Sequence, residues 1–160
     1  MTRPLLFLDV DGPLIPIGGG GRTYQAVASS NPLLARVDPA LGPRLLTPGC
    51  DLVWATTWME EANECVAPLL GLPALPVLNW PDSPDDEHDA RMGLHWKTRR
   101  IVEAAAESPF IWVDDEITDI DRTWVARHHR GRALLHAVTP AVGLTMDDID
   151  TIAAWLRATD

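Results

Sequence analysis

Two apolar runs that end in paired carboxylates constrain this chain more than any other feature. The first is Leu5-Leu6-Phe7-Leu8-Asp9-Val10-Asp11, within residues 4–11, and the second is Phe110-Ile111-Trp112-Val113-Asp114-Asp115. Apolar at successive rather than alternate positions, each predicts a short strand buried on both faces of a parallel sheet. Parallel strands need crossovers, and right-handed crossovers bring every strand C-terminus to one edge of the sheet. The acids are expected to converge there, where open α/β sheets bind their ligands.

The remaining segments fit such a sheet. A short helix is expected over 38–47 and a second strand over 50–56, rich in β-branched and aromatic residues. Thr57 and Glu60 have capping-box spacing, and Trp58, Ala62, Cys65, Val66 and Leu69 then fall on one helical face that Gly71 terminates. Residues 75–80 read as an edge strand because Pro76 lacks a donor, and 81–87 as an acidic loop. A helix over 96–107 precedes the second carboxylate-tipped run. Ile117, Ile120, Trp124, Val125 and His128 share a helical face up to about residue 129, and 132–138 reads as a further strand. Leu144, Thr145, Asp148 and Ile149 occupy the N′, N-cap, N3 and N4 positions of a last helix, a capping box with a hydrophobic staple. The whole predicts one α/β domain over residues 1–160 with a mainly parallel sheet. The irregular stretches 12–31 and 79–94 are expected to be loops or small caps over the ligand edge, and the glycine run 18–21 a mobile one.

Charge narrows the function. Lys and Arg total 13 against 23 Asp and Glu, a net −10, so a basic groove for a phosphate backbone or an anionic membrane is excluded, while contact with a nucleic-acid end is not. No apolar stretch approaches the length of a membrane span, and a cytoplasmic location is the expectation. Cys50 and Cys65 lack metal-site spacing and read as buried thiols. Trp54, Trp112, Trp124 and Trp155 are expected in the core, whereas Trp58 and Trp96 adjoin candidate site residues and could line a pocket.

Four carboxylates at one edge repel one another unless they take up protons or bind a cation. An all-oxygen set with few protein ligands suits Mg²⁺, which keeps waters and shares its shell with phosphate. Asp9-Val10-Asp11-Gly12 is not a calcium loop, because its glycine comes too early and the terminal glutamate is missing; Gly18 to Gly21 is not a Walker loop, having no Lys-Ser or Lys-Thr after it. His88 and His95 read as polar groups rather than metal ligands.

In this order the residues resemble the haloacid dehalogenase-like (HAD) phosphohydrolases. Phe7-Leu8-Asp9-Val10-Asp11-Gly12 matches the strand followed by D-x-D-G, Thr56 the hydroxyl residue closing the next strand, Lys97 the lysine near a later helix start, and Asp114-Asp115 with Asp119 the acidic motif. Pro13-Leu14 departs from the residues common after the first motif, and a large cap insert is absent. The similarity is greatest to small, cap-poor members likened to the 3′-phosphatase domains of polynucleotide repair enzymes.

The resemblance implies a three-layer, Rossmann-like HAD fold with little or no cap, and a Mg²⁺-dependent phosphomonoesterase. By that likeness Asp9 is the nucleophile that becomes phospho-aspartyl, Asp11 the general acid and then base, and Thr56 and Lys97 the phosphate-binding donors. The metal would take Asp9, the Asp11 backbone carbonyl and Asp115; Asp114 is the alternative direct ligand, with Asp119 held through water. The substrate is expected to be phosphorylated, of open class. Two competing readings are a 2-haloacid dehalogenase-type hydrolase, against which Asp11 counts, and a non-catalytic HAD-like binding module.

Overall fold

The computed structural model describes residues 2–18 and 31–158. Most of the glycine run and of the candidate cap over 12–31 lie outside those residues. Four strands, β1 (Leu5–Leu8), β2 (Asp51–Trp54), β3 (Phe110–Asp114) and β4 (Ala133–Ala137), form one sheet in the order β2-β1-β3-β4. Every pairing is parallel, with Leu8 opposite both Trp54 and Val113. The chain leaves β1 toward one neighbour and later returns to its other side, so the order reverses at β1, and the crevice beyond its C-terminus is the expected ligand site.

Successive strand residues serve opposite faces. Leu6, Leu8, Leu52, Trp54, Ile111 and Val113 pack with α1 (Leu41–Leu46), α2 (Ala67–Leu70) and α6 (Met146–Arg157), while Phe7, Phe110 and Trp112 pack with α4 (Thr98–Ala105) and α5 (Asp119–His128). This is the expected three-layer, Rossmann-like α/β arrangement. It explains the continuous apolar runs: β3 is buried at all five positions, and each large apolar side chain so buried contributes about 1.5–3 kcal/mol. Pro13 and Leu14 are buried as well, Leu14 within the core, so the departure after Gly12 anchors the turn that follows β1.

Several local expectations need correction. Residues 75–80 make only a single parallel bridge, Val77 to Trp54, at the β2 edge. The helix after β2 does not begin at Thr57. Met59 takes a left-handed φ of 52°, residues 57–60 form turns, and Glu60 accepts a hydrogen bond from Asn63 instead of closing a capping box. Residues Ala62–Val66 then wind as a π-helix with Ala67 N–H donating to Ala62 O, ahead of Pro68, which has no N–H to continue an α ladder. The acidic stretch after Trp80 contains a helix, α3 (Asp86–Met92). On α5, Ile120 and His128 are exposed and Trp124 is only half-buried, as is Trp155 on α6. The α6 capping box forms as expected, Thr145 Oγ accepting from Asp148 N and Asp148 from Thr145 N. Both cysteines are free, Cys50 buried and Cys65 half-buried.

Candidate active site

Register places Asp9, directly after β1, beside Asp114, the last residue of β3; Asp9 N–H donates to Val113 O. On the other side Ala55 N–H donates to Leu8 O, which carries Thr56 to the same edge. Asp9, Asp114 and Asp115 bring ligand oxygens within 4.8 Å of one another. Lys97, 3% exposed at the start of α4, lies between two of them, its Nζ 3.2 Å from Asp9 Oδ2 and 2.8 Å from Asp114 Oδ2.

Two of the three acids share one ammonium, and the electrostatics of the cluster reflect it. Burial is the main force pushing Asp9 up to about 7, opposed by Lys97 and assisted by Asp114. Burial and then Asp114 raise Asp115 to about 6. A cation would remove the penalty that these raised values express. The donors are all carboxylate oxygens, so the residues fit a hard divalent ion such as Mg²⁺.

The two carboxylates after β3 differ in what they have left to offer. Asp114 Oδ2 accepts from Lys97 Nζ, and Oδ1 accepts from Glu116 N at 3.0 Å. Asp115, half-buried, packs against the turn after β1, where Gly12 has a φ of 98° and leaves no room for a side chain.

Asp11 stands beyond Asp9 and outside the three-acid cluster; its Oδ2 accepts the indole N–H of Trp58 at 3.1 Å. Thr56 is fully buried, its Oγ accepting from Trp58 N at 3.2 Å and its carbonyl from Trp80 Nε1 at 3.2 Å. Asp119 is not brought to the site: its side chain is 99% exposed and pairs with Arg122. The buried acid of that segment is Asp121, which accepts from His95 N, Thr98 Oγ and Thr118 N. It closes a capping box with Thr118, a spacing visible in the sequence that identifies a structural rather than a ligating acid. His95 is half-buried, its ring edge-on to Trp112, and desolvation holds its imidazole below the usual value.

Beside Lys97, Trp96 is 51% exposed, meets Trp80 edge-on at 4.9 Å between ring centroids, and has Lys97 Nζ 5.4 Å from its own ring centroid. Both tryptophans line a cleft of about 500 Å³ that also includes Leu94, Arg99 and Arg100.

A family model described as the HAD domain in Swiss Army Knife RNA repair proteins matches residues 5–149. No curated protein and no solved structure matches the chain. No helix among the described residues is long and apolar enough to cross a membrane.

Proposed function

Because the chain belongs to the family of HAD domains found in Swiss Army Knife RNA repair proteins, a family of the HAD hydrolases, we propose that it is a Mg²⁺-dependent phosphomonoesterase acting on phosphorylated RNA ends. The observation that carries the reading is the contact of one buried ammonium, Lys97, with both Asp9 and Asp114 at the edge where Asp115 and Thr56 also arrive. Transfer of a phosphoryl group needs an anionic nucleophile among cations and donors that hold the equatorial oxygens. Asp9 is the nucleophile, and Lys97 and the Thr56 hydroxyl are the donors.

Asp9 attacks phosphorus, the bond to the leaving oxygen breaks, and Asp11 supplies the proton that oxygen requires. Asp11 then takes a proton from water as the water oxygen attacks phosphorus, which releases phosphate and restores the Asp9 carboxylate. Asp9, the Asp11 carbonyl and Asp115 would hold Mg²⁺; Asp115 is preferred to Asp114 because Asp114 Oδ2 makes the shorter pairing with the Lys97 ammonium, 2.8 Å against 3.2 Å for Asp9, and is the oxygen a second cation would have to share. When bound, the ion neutralises charge on the nucleophile and the phosphoryl oxygens.

Membership of a family found in RNA repair proteins favours RNA, and the half-exposed ring of Trp96, with Lys97 Nζ 5.4 Å from its centroid, supports it as a surface on which a terminal base can stack. With a net charge of −10, stacking at an end is a better mode of recognition than tracking a backbone.

Hydrolysis of p-nitrophenyl phosphate with Mg²⁺ and with excess chelator tests the reaction, and equal rates would overturn it. In water enriched in ¹⁸O the label should enter released phosphate and not the Asp9 carboxylate; label in Asp9 would indicate dehalogenase-type attack on the acyl carbon. Comparing 3′- and 5′-phosphorylated oligoribonucleotides with sugar phosphates tests the substrate class, and a preference for the sugars would exclude RNA ends.

A further inference from the structure

Trp58 reaches two of the proposed site residues at once, and neither contact follows from the reaction chemistry. Its indole Nε1 donates to Asp11 Oδ2 at 3.1 Å, and its backbone N–H donates to Thr56 Oγ at 3.2 Å. The residue is held by the turn after β2, where the next residue, Met59, adopts a left-handed backbone. Such a conformation is costly for a side chain with a Cβ and persists only where the surroundings impose it.

The two hydrogen bonds have complementary consequences. An indole nitrogen donates and cannot accept, so it fixes one Asp11 oxygen without competing for the proton that Asp11 must exchange. Asp11 Oδ2 is thereby occupied and Oδ1 is left for the leaving oxygen. A threonine hydroxyl has a single hydrogen; accepting from the Trp58 N–H fills a lone pair and keeps that hydrogen for a phosphate oxygen. One residue thus sets the rotamer of the acid/base group and the donor direction of the phosphate-binding hydroxyl.

We propose that Trp58 is a positioning residue for proton transfer to the leaving group, acting through Asp11, an inference that rests on the acid/base role given to Asp11 above. A poor leaving group needs its proton during bond cleavage, whereas p-nitrophenolate departs largely without it. The expected signature is therefore a loss that depends on the leaving group, which a merely structural role would not produce.

The test measures kcat/KM, which reports phosphoryl transfer to Asp9, for an alkyl phosphate and for p-nitrophenyl phosphate. Trp58→Phe should lower the alkyl value by about 10-fold or more and the aryl value by less than about 3-fold; Asp11→Asn should show the same pattern more strongly, toward the range of about 10²–10⁴-fold expected of a general acid. In an Asp11→Asn background the Trp58→Phe change should add less than about 2-fold, since coupled residues do not act independently. If Asp11→Asn discriminates between the substrates while Trp58→Phe lowers both equally, the positioning role is refuted and the reading of Asp11 stands. If Asp11→Asn itself fails to discriminate, the acid/base assignment falls and the role of Trp58 with it. Should Trp58→Phe not fold, benzothienylalanine placed at position 58, with sulfur in place of the indole N–H and the ring size kept, is held to the same two outcomes.

Discussion

A Cβ on Gly12 would lie 2.6 Å from Cγ of Asp115, so the turn after β1 and the acid after β3 are in contact with no space between them. Gly12 also has a φ of 98°, which an L side chain rarely adopts. Gly12→Ala is expected to cost about 1–3 kcal/mol of stability from backbone strain and to displace Asp115. Mg²⁺ titration of the residual p-nitrophenyl phosphatase activity should show a rise of several-fold in the metal concentration needed. An unchanged metal dependence would mean that Asp115 is not a direct ligand.

Lys97 is the cation that makes burial of Asp9 and Asp114 tolerable. Lys97→Met keeps most of the side-chain volume and removes the charge, leaving two buried carboxylates without their partner. Breaking a buried pair in this way costs about 3–5 kcal/mol. Thermal denaturation should register that loss, and excess Mg²⁺ should recover part of it. Turnover should fall by about 100-fold or more, the scale of a lost transition-state donor; wild-type turnover in this variant would remove Lys97 from the phosphate site.

Metal binding should release protons over a defined pH range. With Asp9 near 7 and Asp115 near 6, the metal-free cluster is partly protonated at mildly acidic pH. Mg²⁺ requires the ionised carboxylates, so its apparent affinity should rise with pH through about 7 and level off at about pH 8. Calorimetry in buffers of different ionisation enthalpy should detect proton release at about pH 6.5 and almost none at about pH 8.5. Equal release at both values would show that the raised carboxyls do not take part.

The sheet and most of the site were legible because they depend on strong, local signals. Two apolar runs ending in acids identify the buried strands, and parallel register then brings Asp9 next to Asp114 without reference to anything else. What escaped depends on competition between neighbouring backbones. Thr57 and Glu60 have the spacing of a cap, but the chain turns at Met59 and Trp58 engages Thr56 and Asp11 before any helix begins. Helix α3 was hidden by its acids, which look like a solvated loop. Asp86 accepts from Ser83 N, and Asp89 takes a bidentate contact from Arg99 of α4, a partner ten residues away that local patterning does not reveal. Asp119 and Asp121 differ by helical phase alone: the first faces solvent, and the second points back to close the cap at Thr118.

Stability at low pH should depend on Asp148. Its Oδ2 accepts from Thr145 N and Thr145 Oγ, each at 2.8 Å, and Oδ1 meets His136 Nε2 at 2.8 Å. Burial pushes this carboxyl up, but the Thr145 backbone N–H and the His136 contact outweigh it and hold the group below 3.8. A lowered carboxylate stabilises the fold fully above its unfolded value, and the contribution disappears as pH falls through the folded value. Asp148→Ala should therefore destabilise by about 1 kcal/mol near neutral pH, as loss of a cap does. Denaturant midpoints should show the gap between variant and wild type closing as pH drops below the ordinary carboxylate range; a gap independent of pH would place the stabilisation elsewhere.

Trp96 offers the sharpest separation of substrate recognition from chemistry. Its ring is half exposed, and it meets the proposed catalytic groups through Lys97, whose Nζ lies 5.4 Å from the ring centroid and is held in place by Asp9 and Asp114. If a terminal base stacks there, Trp96→Ala should raise KM for a phosphorylated oligoribonucleotide by about 5- to 100-fold, corresponding to about 1–3 kcal/mol for one stacked base. The value of kcat/KM for p-nitrophenyl phosphate should change by less than about 2-fold, because that substrate carries no base to stack. The acidic surface adds a second expectation: with few phosphates neutralised, kcat/KM for the oligoribonucleotide should fall only weakly with added salt. Equal losses on both substrates would make Trp96 a structural residue, and a steep salt slope would require a basic contact surface that the charge balance argues against.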